Sequence, residues 1–288
     1  MFAHINQTNI FFDVDGQHVE VKDGKIIKKP VILVVHGGPG GTHLNFKPHL
    51  DSLTACAQLI YIDQRGCGFS DESDTDLYTL EQNVEDIEAL RKHLGLEKIW
   101  VLGHSYGGMV AMSYALKYQN YLNGLLLMAT SPSHRFLEKA KKYVEEHGNK
   151  AQKYYAEKLW EGSFQSEEEV EEYYKVMQPL YSIKSSNNDQ KKPYVKRAYR
   201  VLNKGFSTFL RTFDLTEDLK NIDVPTLIVA GKHDWITPVS ESEEIHQQIP
   251  HSTLHILENS SHSVFVDENK NCISLIKNFI TTYTYDLA

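Results

Sequence analysis

The stretch KIWVLGHSYGGMVAMSYAL, Lys98 to Leu116, decides the fold. Its first residues are an apolar run of β-formers and its last read as a helix. Between them Gly103-His104-Ser105-Tyr106-Gly107 fits the pattern G-x-S-x-G. A chain that turns from strand to helix within so few residues holds the serine in a strained conformation at the apex. Bulky neighbours would clash with nearby backbone, which is why glycines flank it. The Ser105 hydroxyl then stands at the C-terminal end of a sheet, with the positive end of the following helix facing it. Ser105 is the candidate nucleophile.

Outward from this turn, the same alternation repeats. VILVV after Pro30, QLIYID (Gln58 to Asp63), GLLLMA (Gly124 to Ala129), TLIVAG (Thr226 to Gly231) and TLHILE (Thr253 to Glu258) are further runs of the same kind. Such runs suit strands buried on both faces, as in a parallel sheet. Helical patterns separate them. Leu80, Val84, Ile87, Leu90 and Leu94 keep a 3.6-residue rhythm, and Tyr106 to Tyr118 and Ser240 to Gln248 also read as helices. Strands alternating with helices predict an α/β fold with a mostly parallel central sheet covered on both faces. Near the start, Asn9 to Val14 and His18 to Lys22 read as strands, and Asp15-Gly16 and Asp23-Gly24 as hairpin turns.

The segment 131–213 breaks the alternation. It is polar, charged and aromatic, holds eight of the 16 tyrosines, and carries 16 Lys and Arg against 11 Asp and Glu. It reads as a helical cap inserted between a first core part, residues 1–130, and a second, residues 214–288. The acidic run Glu167 to Glu172 reads as a solvated helix face.

The bulk properties narrow the function. The 288 residues are 41% hydrophobic and 24% charged, with a formal net charge of −8, which disfavours nucleic acid as a partner. No run approaches the ~20 apolar residues of a membrane span. Met1 to Asp13 lacks the layout of a signal peptide. Cys56, Cys67 and Cys272 are an odd, sparse set without metal-type spacing, as expected of free thiols in the cytoplasm.

A serine hydroxyl becomes a nucleophile when a histidine takes its proton and a carboxylate orients that histidine. In this type of sheet the order is Ser, acid, His. Asp234 follows TLIVAG, in GKHDWITP. His262 follows TLHILE, in ENSSHSVFVDE. Both fall at the sheet edge that carries Ser105. Asp63 also ends a strand but precedes Ser105, so it reads as part of a structured loop that Arg65 ties down. His36-Gly37-Gly38-Pro39-Gly40-Gly41 follows VILVV and predicts an oxyanion hole from the N–H groups of Gly38 and Tyr106. His36 reads as a buried histidine that orders this loop. No phosphate-loop fingerprint is present. Together these features predict acyl transfer with no cofactor and no metal.

HGGPG (His36 to Gly40), DQRGCGFSD (Asp63 to Asp71), GHSYGG (Gly103 to Gly108), VPTLIVAGKHD (Val224 to Asp234) and SSHSVFVDE (Ser260 to Glu268) together resemble the prolyl iminopeptidase family of α/β hydrolases. The resemblance implies an α/β-hydrolase core with a helical cap, and release of an N-terminal residue, preferably proline, from small peptides. Members of the family hold the substrate's α-amine with glutamates of the cap and near the catalytic acid. This chain has Trp235 after Asp234, and Arg200 and Lys204 at the cap's end. Glu161, in LWEG, is the carboxylate left for that role, with Gly37 and Trp235 as further substrate contacts. Two other functions share the scaffold: an esterase or lactonase using the same triad, with Trp235 in an apolar acyl pocket, and a non-catalytic binding protein. The intact Ser/Asp/His set argues against the latter.

Overall fold

In the computed structural model, which describes residues 1–184 and 197–285, eight strands form one sheet. In chain order they include β1 (Phe2–Ile5), β2 (Thr8–Asp15), then the separate hairpin β3 (Val19–Lys22) and β4 (Lys25–Lys28), β5 (Val31–Val35), β6 (Gln58–Ile62), β7 (Ile99–His104), β8 (Leu122–Met128), β9 (Thr226–Gly231) and β10 (Ser252–Leu257). The sheet order is β1-β2-β6-β5-β7-β8-β9-β10. From β6 to β10 all neighbours are parallel, and β1 and β2 add an antiparallel edge.

The buried runs explain the middle of this sheet. All five residues of β5 are buried, and burying each such side chain contributes about 1.5–3 kcal/mol. Their two faces feed two cores, because successive side chains point to opposite sides. Val31, Leu33 and Val35 join one with α1 (Leu80–His93) and α2 (Tyr106–Tyr118). Ile32 and Val34 join the other, closed by Cys272, Ile273, Ile276 and Ile280 of the C-terminal helix. Gln64 and Arg65 then anchor the loop after β6: Arg65 makes a two-pronged bond to Asp86 of α1, at 2.9 and 2.7 Å.

Among the described residues, four α-helices lie between β8 and β9: α3 (Phe136–His147), α4 (Lys150–Glu161), α5 (Glu167–Tyr181) and α6 (Tyr199–Ser207). Their ends carry local signals. Asn149 and Gln152 form a reciprocal cap on α4, and Gly162 closes it with φ of 65°. Ser166 caps α5, whose first turn holds three glutamates where the helix dipole favours them. The chain enters and leaves this helical segment side by side, through a Ser133–Asp214 bridge. After β9 come α7 (Val239–Gln248), the single turn α8 (Val264–Asp267) and α9 (Asn269–Tyr285).

Three details differ from the sequence reading. Phe2–Ile5 is a strand, joined to β2 by Asn6 and Gln7 at φ of 44° and 63° without a glycine. The Asp15-Gly16 turn joins no hairpin, since β2 pairs with β1 and β6. TLHILE is an edge strand in which Leu257 alone is buried, so it is not covered on both faces.

Candidate active site

Ser105 occupies the apex between β7 and α2, with φ of 55° and ψ of −124°, a region that L-residues enter only under constraint. The constraint is steric. A Cβ at Gly103 would lie 2.2 Å from the Gly107 carbonyl oxygen, and one at Gly107 would lie 2.2 Å from that of Val35. Main chain packs directly on main chain here. The Ser105 N–H donates to the Met128 carbonyl at 3.0 Å, and the Thr130 hydroxyl donates to the Ser105 carbonyl at 2.7 Å. Ser105 is 9% exposed, so little of it meets solvent.

Asp234 and His262 meet at the same sheet edge. His262 Nδ1 lies 2.8 Å from Asp234 Oδ2, and both residues are buried. The carboxylate is held in turn. The N–H groups of Ile236 and Thr237 donate to Oδ1 at 2.9 and 3.0 Å, and the Thr237 hydroxyl donates to Oδ2 at 2.9 Å. A carboxylate so placed accepts from Nδ1–H, which leaves Nε2 as the basic nitrogen. Among the described residues the Ser105 hydroxyl makes no hydrogen bond. Contacts of this kind commonly tighten only around bound substrate.

The glycine-rich loop after β5 reaches the elbow. A Cβ at Gly37 would lie 2.9 Å from Cβ of Ser105, so only a bare α-carbon fits beside the nucleophile. Gly38 has φ of 124°. Among the described residues the N–H groups of Gly38 and Tyr106 have no hydrogen-bond acceptor. At the first turn of α2 that is the expected state of orphan donors. His36 orders the loop: its Nδ1–H donates to the Gly37 carbonyl at 2.8 Å, and its Nε2 accepts from the Gln64 N–H at 3.0 Å. Burial, before any other influence, lowers the pKa of His36 and keeps it neutral.

The rival carboxylate lies elsewhere. Asp63 accepts from His43 Nδ1 at 2.9 Å and from the N–H groups of His43 and Phe69. Burial would raise its pKa, but the His43 hydrogen bond and the neighbouring histidines hold it below the usual range. His104 turns to the base: its Nε2 lies 3.0 Å from the His262 carbonyl oxygen, and the two rings are 4.8 Å apart. Burial first, and then the charge of His262, push the His104 pKa down to about 3. It is therefore a neutral donor.

The helical segment supplies the facing wall. Trp235 is fully buried between Tyr181 at the end of α5 (5.4 Å between rings) and Trp160 of α4 (6.1 Å). Among the described residues its indole N–H has no acceptor. Tyr181 also packs 5.5 Å from the His262 ring, and Phe209 lies 5.8 Å from Tyr106. Glu161 is exposed, and the Ser163 hydroxyl lies 3.5 Å from its carboxylate. Trp160, one residue earlier, is the side chain that faces Trp235. Arg200 and Lys204 pair with Glu72 and Asp76 of the core at 3.6 and 2.9 Å.

Sequence reasoning missed Thr237, Tyr181 and the contact of His104. Thr237, in HDWITP, follows Asp234 at the spacing of an acceptor-capped turn, a signal that was available. Tyr181 had no local signal.

Similarity to known proteins agrees with this geometry. The alpha/beta hydrolase fold family matches residues 30–269. A proline iminopeptidase of Saccharolobus solfataricus is 35% identical over 86% of this chain and 84% of its own length. Another, from the fungus Pestalotiopsis fici, is 33% identical over 94% and 98%. The crystal structure of a proline iminopeptidase from Mycobacterium smegmatis superposes with a TM-score of 0.78 at 19% identity, covering 100% of this chain and 99% of the other, which speaks for the fold alone. The chain is a hydrolase and belongs to the proline iminopeptidase family within the α/β-hydrolase fold.

Proposed function

We propose that Ser105, His262 and Asp234 are nucleophile, base and orienting acid in the release of an N-terminal residue, proline preferred, from short peptides and amides. The observation that carries this is the buried His262–Asp234 pair, 2.8 Å apart, at the sheet edge that holds the strained Ser105. His262 Nε2 takes the Ser105 proton as Oγ attacks the substrate carbonyl. The N–H groups of Gly38 and Tyr106 receive the oxyanion. When the C–N bond breaks, His262 gives the proton to the leaving amine. Water then attacks the acyl-enzyme by the same route, and Ser105 is restored.

Residues 131–213 act as a cap that shields this chemistry from water and shapes the substrate pocket with Trp160, Tyr181 and Trp235. Proteins named proline iminopeptidase at 33–35% identity support the substrate class. The three cysteines, none of which forms a disulfide among the described residues, fit a cytoplasmic setting.

A second reading has its own support. Glu161 is exposed and Trp235 sits beside the acid, so hydrolysis of small esters or lactones, which needs no carboxylate for an amine, uses the same machinery. One assay separates the two: a proline arylamide and a short p-nitrophenyl ester, with Ser105→Ala as control. Cleavage of the arylamide that depends on Ser105 supports the peptidase. Cleavage of the ester alone keeps the triad and replaces the substrate.

A further inference from the structure

The loop that carries His262 is held from two sides. On the core side, Glu268 accepts from the Asn259 N–H at 2.8 Å and the Ser260 hydroxyl at 3.3 Å, and His104 holds the His262 carbonyl. On the cap side the holder is the end of α5 and the three residues after it. The Ser263 N–H donates to the Tyr181 carbonyl at 2.9 Å, and the Ser261 hydroxyl donates to the Leu180 carbonyl.

Asp267 joins these partners. Its carboxylate is 5% exposed. Oδ2 accepts from the Ser261 N–H at 2.9 Å and the Ile183 N–H at 3.2 Å. Oδ1 accepts from the Ser182 hydroxyl at 2.5 Å and the Lys184 N–H at 3.3 Å. These four donors match the acceptor capacity of an ionised carboxylate, which offers about four lone-pair sites. One donor precedes His262 in the chain, and the other three belong to the cap. Hydrogen bonds to an ionised acceptor are about twice as strong as neutral ones, so this group ties the two segments more firmly than the main-chain contacts around it.

We infer that Asp267 is a positioning residue through which the seated cap sets the place of the catalytic base. This rests on the reading of His262 as that base. Asp267 is separated from His262 by the Ser261 peptide, so a shift of the cap reaches the imidazole through a single residue. Tyr181, on the same cap segment, lies against the His262 ring, which couples pocket and base in one unit. A misplacement of ~1 Å in such a group is enough to cost ~10²-fold in rate.

The test uses the full chain with Asp267→Asn and Ser182→Ala. Ser182→Ala removes one cap-side bond and touches neither Ser105 nor His262. Three quantities are measured: the rate at which a small fluorophosphonate labels Ser105, kcat and KM for a proline arylamide, and the thermal midpoint. The expected result is labelling slowed about tenfold in Asp267→Asn and about threefold in Ser182→Ala, kcat down by matching factors, and KM within about twofold. Labelling at the wild-type rate in folded Asp267→Asn overturns the inference, as does a Ser182→Ala enzyme that changes in KM alone. Should Asp267→Asn not fold, Ser182→Ala decides by the same criteria. A wild-type protein that is labelled but leaves the arylamide intact removes the peptidase reading, and the labelling rates still decide this inference. A wild-type protein that is not labelled removes the triad and the inference together.

Discussion

The site has a floor and a wall, and they are built differently. The floor is main chain against main chain: the elbow, β5 and the glycine loop, where an added Cβ at Gly41, Gly103 or Gly107 would lie 2.2–2.4 Å from a carbonyl oxygen. The wall is ring against ring: Trp160, Tyr181 and Phe209 from the helical segment lie 5.4–6.1 Å from Trp235, His262 and Tyr106. The first kind of contact admits one residue type. The second admits several, because aromatic pairs tolerate a broad range of distances and tilts. The surroundings of Ser105 therefore admit few residue types, and the facing aromatic wall admits more.

Changes in the floor should be severe, and the largest is at its apex. Ser105→Ala is expected to lower kcat on the order of 10⁶-fold while the protein stays folded, the loss that the proposed pairing of Ser105 with His262 as its base predicts. Steady-state kinetics with circular dichroism checks it. A residual rate within a hundredfold of wild type would assign the chemistry to another group.

Next is the steric claim. Gly103→Ala pushes a methyl group onto the Gly107 carbonyl and should cost about 3 kcal/mol of stability, read as a lower urea midpoint at unchanged slope. A neutral substitution would mean that the elbow relaxes, and that floor and wall are less different than drawn.

Acid should also act through the floor. The folded-state pKa of His104 is pushed down to about 3, against about 6.5 in the unfolded chain. Between these values the unfolded chain binds the proton and the folded one does not. The stability that depends on neutral His104 is thus complete above pH ~6.5 and is lost as pH falls toward 3. Calorimetry should show the thermal midpoint falling over this window. His104→Gln, which retains an N–H donor, should fall less than wild type, and parallel curves would show that His104 carries no such linkage.

The smallest effect belongs to the wall's rim. Glu161→Gln, at an exposed position, should change KM for a proline arylamide by no more than about twofold, the scale of a surface substitution. A tenfold rise in KM would make Glu161 the amine ligand after all and turn the wall into a specified site.

The cap's charge follows the same division. Among the described residues, four cations of residues 131–213 reach acids outside that segment: Arg135 reaches Asp214 and Glu244, Lys139 reaches Glu241, Arg200 reaches Glu72 and Lys204 reaches Asp76, while Lys142, Lys153, Lys158, Lys175 and Arg197 pair within it. Glu241 is buried, and the other pairs, which lie at the surface, contribute about 0–1 kcal/mol each. The bias in composition was visible along the chain, and its use in docking was not, since the partners lie far apart in sequence.

The core strands, the elbow and the chain order of Ser105, Asp234 and His262 were legible in the sequence, because each leaves a local mark: a β-branched run, a forced glycine, a polar residue just past a strand. The strand Phe2–Ile5 left none, since its turn uses Asn6 and Gln7 and no glycine marks it. The edge position of β10 was hidden because its apolar run resembles a buried one. What only the tertiary structure decided is who meets whom: that Trp160 and not Glu161 faces Trp235, that His104 holds the His262 carbonyl, and that Asp267 ties the residues after α5 to the loop that carries His262. The physical reason is range. Backbone sterics act between neighbours and write themselves into the sequence as residue types. Side-chain contacts between segments 75 to 158 residues apart depend on how the sheet and the helical segment are packed, and many sequences satisfy them.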